Sequence, residues 1–342
     1  MTIDARTLTR RSALALGAAA LATPALGQAA LPPVRVGVLR LASAGPVFIA
    51  QDKGYTRDAG VDVTLRFFDA AQPIAVAIAS GDIDVGITAF TGGLFNLAGR
   101  GQLKVLAAQS REEPGFPLIA YLASKRAHDA GLRTLRDLRG KSVGITQVGS
   151  SFHYSLGLIT RKLGFPMSDV RMQPLQSLSN LSAALIGGSI EAALLPSTVA
   201  RPLIDRGEAV LLGWVSDETP WQVGALFAGT RFIQQQRDPL TRYIAAYRKA
   251  AAEYHDVLLK RKADGTFDHG PEAAALIEII ARNVNQSAAI VTASLAFVDR
   301  EARLDWASVA DQLQWYQENG FVDRGFGMDA IMDTSFVPPI RR

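Results

Sequence analysis

The chain has 342 residues, 48% of them hydrophobic, and a formal charge of +4. That length allows about two domains with an ample core. Residues 1–27 carry Arg6, Arg10, Arg11 and Asp4, so half of the excess charge sits there, and the rest is too small and dispersed for a nucleic-acid surface. Cysteine is absent, which excludes disulfides, thiolate metal sites and cysteine nucleophiles and suits an oxidising compartment.

Residues 1–30 read as an export signal. Thr9–Leu14 contains the Arg10-Arg11 pair of a twin-arginine motif. The apolar run Ala13–Leu26, interrupted by Pro24, is too short for a membrane span and fits a signal h-region. Small residues at 25–30 offer cleavage sites, and without cysteine there is no lipid-anchoring site. The expected product is a periplasmic protein exported by the twin-arginine route.

The first lobe is expected from residues 31–116. Val34–Leu39 is a strand that runs into a small-residue loop, with Pro46 well placed in the first turn of a helix. Val61–Phe67 alternates as a second strand, Ala71–Ser80 is a helix stopped by Gly81, and Ile83–Ile87 is a short buried strand. A helix at 94–98 and a strand at 103–108 follow. Strand, helix, strand with short links predicts parallel βαβ units, whose ligands sit outside the C-terminal strand ends. Arg40, Ser43, Thr88, Phe90 and Thr91 all fall at such ends.

The second lobe is expected from residues 117–221. Its key stretch is Lys141–Tyr154: a strand at Val143–Ile145, a break at Gly149-Ser150-Ser151, then a helix with apolar residues at 156, 159 and 163. Capping alone would account for the serines. A helix N-terminus after a strand is also a place where free N–H groups and the positive dipole end receive an anion. The stretch has a counterpart. Val36-Gly37-Val38, Ser43 and Gly81–Asp84 each recur 107 residues later, as Val143-Gly144-Ile145, Ser150 and Gly188–Glu191. Three matches in one register predict two similarly built α/β lobes with Ser43 and Ser150 on equivalent loops. Ser197, after Pro196, opens a second helix aimed at the same cleft.

Pro114–Pro117 and Asp217–Trp221 are turn-rich and read as the two crossovers, with residues 222–342 returning to the first lobe. Leu240, Tyr243, Ile244, Tyr247, Ala251, Tyr254 and Leu258 form one apolar stripe at helical spacing, so these tyrosines are packing residues. Helices are also expected at 272–281 and 305–318. The tail 334–342 has no periodicity and is expected to be exposed or mobile.

Three segments carry a family resemblance: Ala79–Ile87, Asp137–Gly144 and Gly188–Glu191 with the two alanines after it. They resemble the NMT1/THI5-like periplasmic solute-binding proteins (the SsuA/TauA type), which serve ABC transporters for sulfonates, taurine, nitrate and thiamine precursors. The likeness spans roughly 34–320. It implies an α/β, two-lobed type II periplasmic-binding-protein fold, each lobe a mainly parallel sheet flanked by helices. Members often carry Glu-Pro where this chain has Leu195-Pro196.

The implied function is the solute-binding component of an ABC importer. It would capture a small organic anion, sulfonate-, taurine- or nitrate-like or an aromatic carboxylate, and deliver it as a monomer to the permease and ATPase complex. Two alternatives share the fold: a THI5-like pyrimidine synthase that makes a thiamine precursor, and an exported ligand sensor. Zero cysteines and the export signal weigh against the synthase. No G-x-S-x-G elbow, P-loop or G-x-G-x-x-G motif is present, and the histidines at 128, 153, 255 and 269 lack metal-ligand spacing. No catalytic residue, metal or cofactor is therefore assigned. The expected ligand contacts are Arg40 for charge; Ser43, Thr88, Thr91, Ser150, Ser151 and Ser197 for hydrogen bonds; and Phe90, Phe152, His153 and Trp221 as walls.

Overall fold

The computed structural model describes residues 31–341. Ten strands form two five-stranded sheets. They are β1 (Pro33–Leu39), β2 (Asp62–Phe68), β3 (Val85–Ala89), β4 (Leu103–Ala108), β5 (Ile119–Ser124), β6 (Ser142–Ile145), β7 (Arg171–Pro174), β8 (Ala192–Pro196), β9 (Ala209–Trp214) and β10 (Gly224–Gly229). The first sheet has the order β2-β1-β3-β10-β4 and the second β7-β6-β8-β5-β9. In each, one strand runs against its two neighbours: β10 between β3 and β4, and β5 between β8 and β9. Each lobe is thus a mainly parallel sheet flanked by helices. The expected signal segment 1–30 lies outside the described residues.

The internal repeat has a physical basis. Asp84 Oδ2 accepts the backbone N–H of Arg35 at 2.8 Å, and Glu191 Oε2 accepts that of Ser142 at 2.8 Å. The carboxylate that follows each crossover helix therefore pins the beginning of the neighbouring parallel strand, β1 in one lobe and β6 in the other. Asp84 also pairs with the Arg35 guanidinium and Glu191 with Lys141 and Arg171. The repeated glycines are needed for close approach. A Cβ on Gly144 would stand 2.6 Å from Ile190 Cδ1, and one on Gly37 would overlap Ile83 Cδ1. The isoleucine of each Gly-x-Ile-acid turn packs over the glycine of the strand its acid pins.

The long helix Arg237–Leu258 buries its whole predicted stripe, and Tyr247 Oη donates to Ala108 O at 2.9 Å. The helix Trp306–Glu318 lies against the second lobe's helix Ser151–Leu163 and the first lobe's helix Gly92–Gly99. The tail, expected to be exposed or mobile from its lack of periodicity, is docked over part of its described portion, 334–341. Val337 is buried, Ile340 N donates to Leu304 O at 2.8 Å, and Trp306 N donates to Ile340 O at 3.1 Å. A single bridge of two hydrogen bonds and one buried valine leave no periodic trace in a sequence.

The glycine–isoleucine contact gives a first prediction. Gly37→Ala should destabilise the protein by about 1–3 kcal/mol through overpacking. Combining it with Ile83→Val, which removes the clashing methyl, should cost at least about 1 kcal/mol less than the sum of the two single changes. Urea denaturation of the three variants measures this; strict additivity would show that the contact is not what requires glycine.

Candidate ligand-binding cleft

The two sheets face each other across a cleft at the ends of their parallel strands. Residues of both line a small cavity of about 50 Å³. The first-lobe side includes Leu39, Leu41, Ser43, Ala70, Thr88 and Gln109. The second-lobe side includes Leu118, Ile119, Thr146, Ser151, Phe152 and Leu178. The lining is mostly apolar, and it contains no charged side chain among the described residues.

The cleft is closed. Ala42 N donates to Thr198 Oγ1 at 3.0 Å, Gly92 N to Gly149 O at 2.9 Å, and Leu178 N to Asp69 O at 3.3 Å, each from one lobe to the other. The connecting segments run side by side behind it. Glu112 N donates to Trp221 O at 2.9 Å, and both Val223 N and Gly224 N donate to Ser110 O. Glu112 is fully buried there, with Oε2 accepting from Leu118 N at 3.4 Å, and burial raises its carboxyl pKa well above the usual range.

Four of the eleven predicted contacts meet at the cavity: Ser43, Thr88, Ser151 and Phe152. Thr88 Oγ1 is buried and has no hydrogen-bond partner among the described residues. A buried hydroxyl left unpaired costs about 1–3 kcal/mol unless a guest supplies the bond. Ser151 and Phe152 occupy the first turn of the thirteen-residue helix Ser151–Leu163, where backbone N–H groups have no intrahelical acceptor.

The other seven are elsewhere. Arg40 turns outward: its Nη1 donates to Asn283 O at 2.7 Å and its guanidinium lies 3.5 Å over the Phe67 ring. Phe90 is wholly buried and stacks on Phe95 at 5.2 Å. Thr91 caps the helix Gly92–Gly99 by accepting from Leu94 N, and donates to Gln72 Oε1 at 2.7 Å. Ser150 is the cap that its sequence allowed, accepting from His153 N at 3.3 Å, so the cavity position falls one residue later, at Ser151. Ser197 opens the helix Ser197–Asp205, but its hydroxyl is buried off the cavity, and Pro196 takes the lining place. Trp221 packs edge-on against Tyr154 at 4.9 Å on the crossover side.

His153 is also no wall. It is fully buried, with Trp315 at 5.4 Å and Phe321 at 4.8 Å edge-on, and its Nδ1 accepts from Gly149 N at 3.0 Å. Sequence reasoning missed Gln109, Ser110 and Thr146. Gln109 and Ser110 follow the end of β4 and Thr146 follows the end of β6, the positions where such sheets place ligand contacts. That rule would have found them.

Burial pushes the His153 imidazole down to about 4 from an ordinary 6.5. Between these values the unfolded chain binds a proton that the folded chain does not. This contribution to stability is complete above about pH 6.5 and is lost as pH falls toward 4, by about 3 kcal/mol. Urea unfolding from pH 7 to 4 should show this slope, and His153→Asn should flatten it by that amount; equal slopes in the two proteins would rule out a neutral buried imidazole.

Among the described residues no helix is long and apolar enough to cross a membrane. The structure is similar to the alkanesulfonate-binding protein SsuA of Xanthomonas axonopodis pv. citri, with a TM-score of 0.70 and 20% identity over 87% of this chain and 97% of that one. The sequence is similar to the taurine-binding periplasmic protein of Escherichia coli, 30% identical over 52% of each. It is also similar to the 4-amino-5-hydroxymethyl-2-methylpyrimidine phosphate synthase of Schizosaccharomyces pombe, 26% identical over 44% of this chain and 40% of that protein. The chain spans about half the length of the curated relatives it matches. The NMT1/THI5-like family model matches residues 42–256, more than half the chain, across both sheets. With two mixed sheets closing over a cleft in the periplasmic-binding-protein fold, this chain belongs to the NMT1/THI5-like family.

Proposed function

We propose that the protein is the solute-binding component of an ABC importer, which closes over one small organic molecule and presents it to the permease. The observation that carries this reading is the closed, largely apolar cavity with an unpartnered Thr88 hydroxyl inside it. Such a space holds a guest without offering it an activated nucleophile or a titratable acid and base. Export by the twin-arginine route to the periplasm, and action as a monomer, complete the proposal.

The lining supports one kind of organic anion among those expected from sequence. Nitrate has no apolar body to fill the cavity. Taurine carries an ammonium group, and no carboxylate among the described residues lines the space to receive it. The position where relatives carry Glu holds the fully buried Leu195. A monoanion with an alkyl or aryl body fits better. Its head would sit at the Ser151 and Phe152 amides and the Thr88 and Ser151 hydroxyls, and its body would lie on Leu39, Leu118 and Phe152. A hydrogen bond to a charged group contributes about 1.5–3 kcal/mol and the helix end about 0.3–1. A few such contacts suffice for micromolar binding, about −8 kcal/mol. The synthase reading draws on the pyrimidine-synthase relatives and predicts turnover instead of retention.

A thermal-shift screen of alkyl and aryl sulfonates and carboxylates, with taurine, nitrate and thiamine-related pyrimidines as comparisons, tests this. A ligand at about 100 times its dissociation constant adds roughly 2.7 kcal/mol and raises the midpoint by several degrees. For the best ligand, Thr88→Val and Phe152→Ala should each weaken binding about tenfold or more by calorimetry, a loss of about 1.4 kcal/mol, while Arg40→Ala should leave it unchanged. Unaltered affinity in Thr88→Val and Phe152→Ala would remove the site from this cavity.

A further inference from the structure

We propose that His153 is the positioning residue of the interlobe latch: by accepting the Gly149 amide it holds the turn whose carbonyl binds Gly92 of the opposite lobe. The chain of contacts is short. Gly149 N donates to His153 Nδ1 at 3.0 Å, and Gly149 O accepts from Gly92 N at 2.9 Å. One residue thus carries both the inward bond to the imidazole and the outward bond between lobes. Gly149 has φ +79°, a left-handed conformation that is open to glycine and that an L side chain rarely adopts, so the turn requires glycine at this position.

The histidine is otherwise hard to explain. An accepting Nδ1 puts the neutral ring's proton on Nε2. That atom is buried and finds no acceptor among the described residues, since Trp315 and Phe321 crowd the ring edge-on. A leucine or phenylalanine would fill the same apolar space without that unsatisfied donor. What neither can supply is the acceptor for Gly149. The turn has a second anchor in Tyr316 Oη, which donates to Ser150 O at 3.0 Å. The anchored turn lies between Thr146 and Ser151, both of which line the cavity. Its position therefore sets the cavity wall and the latch together.

The inference rests on the cleft being a site that closes over a ligand, but its test needs no ligand, so the two can fail separately. Residue-resolved amide exchange would be read by NMR on the ligand-free full chain. In His153→Leu, the Gly149 and Gly92 amides should exchange about tenfold faster or more, while Val36 and Ile87 amides in the sheet keep their protection. In His153→Asn, whose Oδ1 can take the place of Nδ1, Gly92 protection should return toward wild type although the ring packing is lost. His153→Phe offers a second acceptor-free variant should the leucine protein not fold. Tyr316→Phe, which removes only the second anchor, should speed exchange at Gly92 less than His153→Leu does. A purely structural histidine predicts the reverse order, with asparagine worse than leucine at Gly92. That order, or a Gly92 amide unchanged in both acceptor-free variants, would overturn the proposal.

Discussion

A carboxylate that pins the beginning of the strand next to its own is the contact from which both lobes follow. Asp84 holds Arg35 at the start of β1, and Glu191 holds Ser142 at the start of β6. The bond fixes where the crossover helix ends relative to the strand it crosses. The isoleucine one residue before the acid then settles over a glycine in that strand. With one end of each parallel set fixed, the other ends, carrying Ser43 and Thr88 in one lobe and Thr146 and Ser151 in the other, converge on the same space. The acids are structural and lie at the strand starts; the cavity lies at the strand ends.

The cavity derives its character from what is kept out of it. Arg40 is placed by sequence at the mouth of the cleft, but a carbonyl at Asn283 and the face of Phe67 hold it outside. The remaining polar groups are neutral: hydroxyls, the Gln109 amide and the helix-end N–H groups. On the proposed function, such a set would accept a single charge that is spread over several oxygens more readily than a compact ion or a zwitterion, because each neutral donor contributes a modest share and nothing repels the apolar body. Closure adds to this by excluding water from the hydrogen bonds that remain.

Much of the architecture was legible in the sequence because it rests on repeated local constraints. The 107-residue register contained the glycine, the isoleucine and the acid that build each lobe. The strand–helix alternation gave the parallel units, and the stripe from Leu240 to Leu258 gave the long helix. The site was legible only in part. Strand ends pointed to Ser43 and Thr88, which line the cavity, since the end of a parallel strand has one direction to go. Direction of a side chain past that end was not readable: Ser150 and Ser151 are adjacent, yet one caps the helix and the other faces the cavity. Phe90, His153 and Trp221 were drawn into the core by Phe95, Trp315 and Tyr154, partners that lie 5 to 162 residues away in the chain. No local pattern records such contacts. The docked tail was missed for the same reason.

The central claim is that the closed cleft retains one small organic molecule and leaves it chemically unchanged. Native mass spectrometry of the purified protein after incubation with a mixed set of alkyl and aryl sulfonates and carboxylates tests it most directly. The account predicts one retained molecule per chain, released intact on denaturation and identical in mass to the molecule supplied. Release of a converted product, or retention only of compact ions such as nitrate, would contradict it.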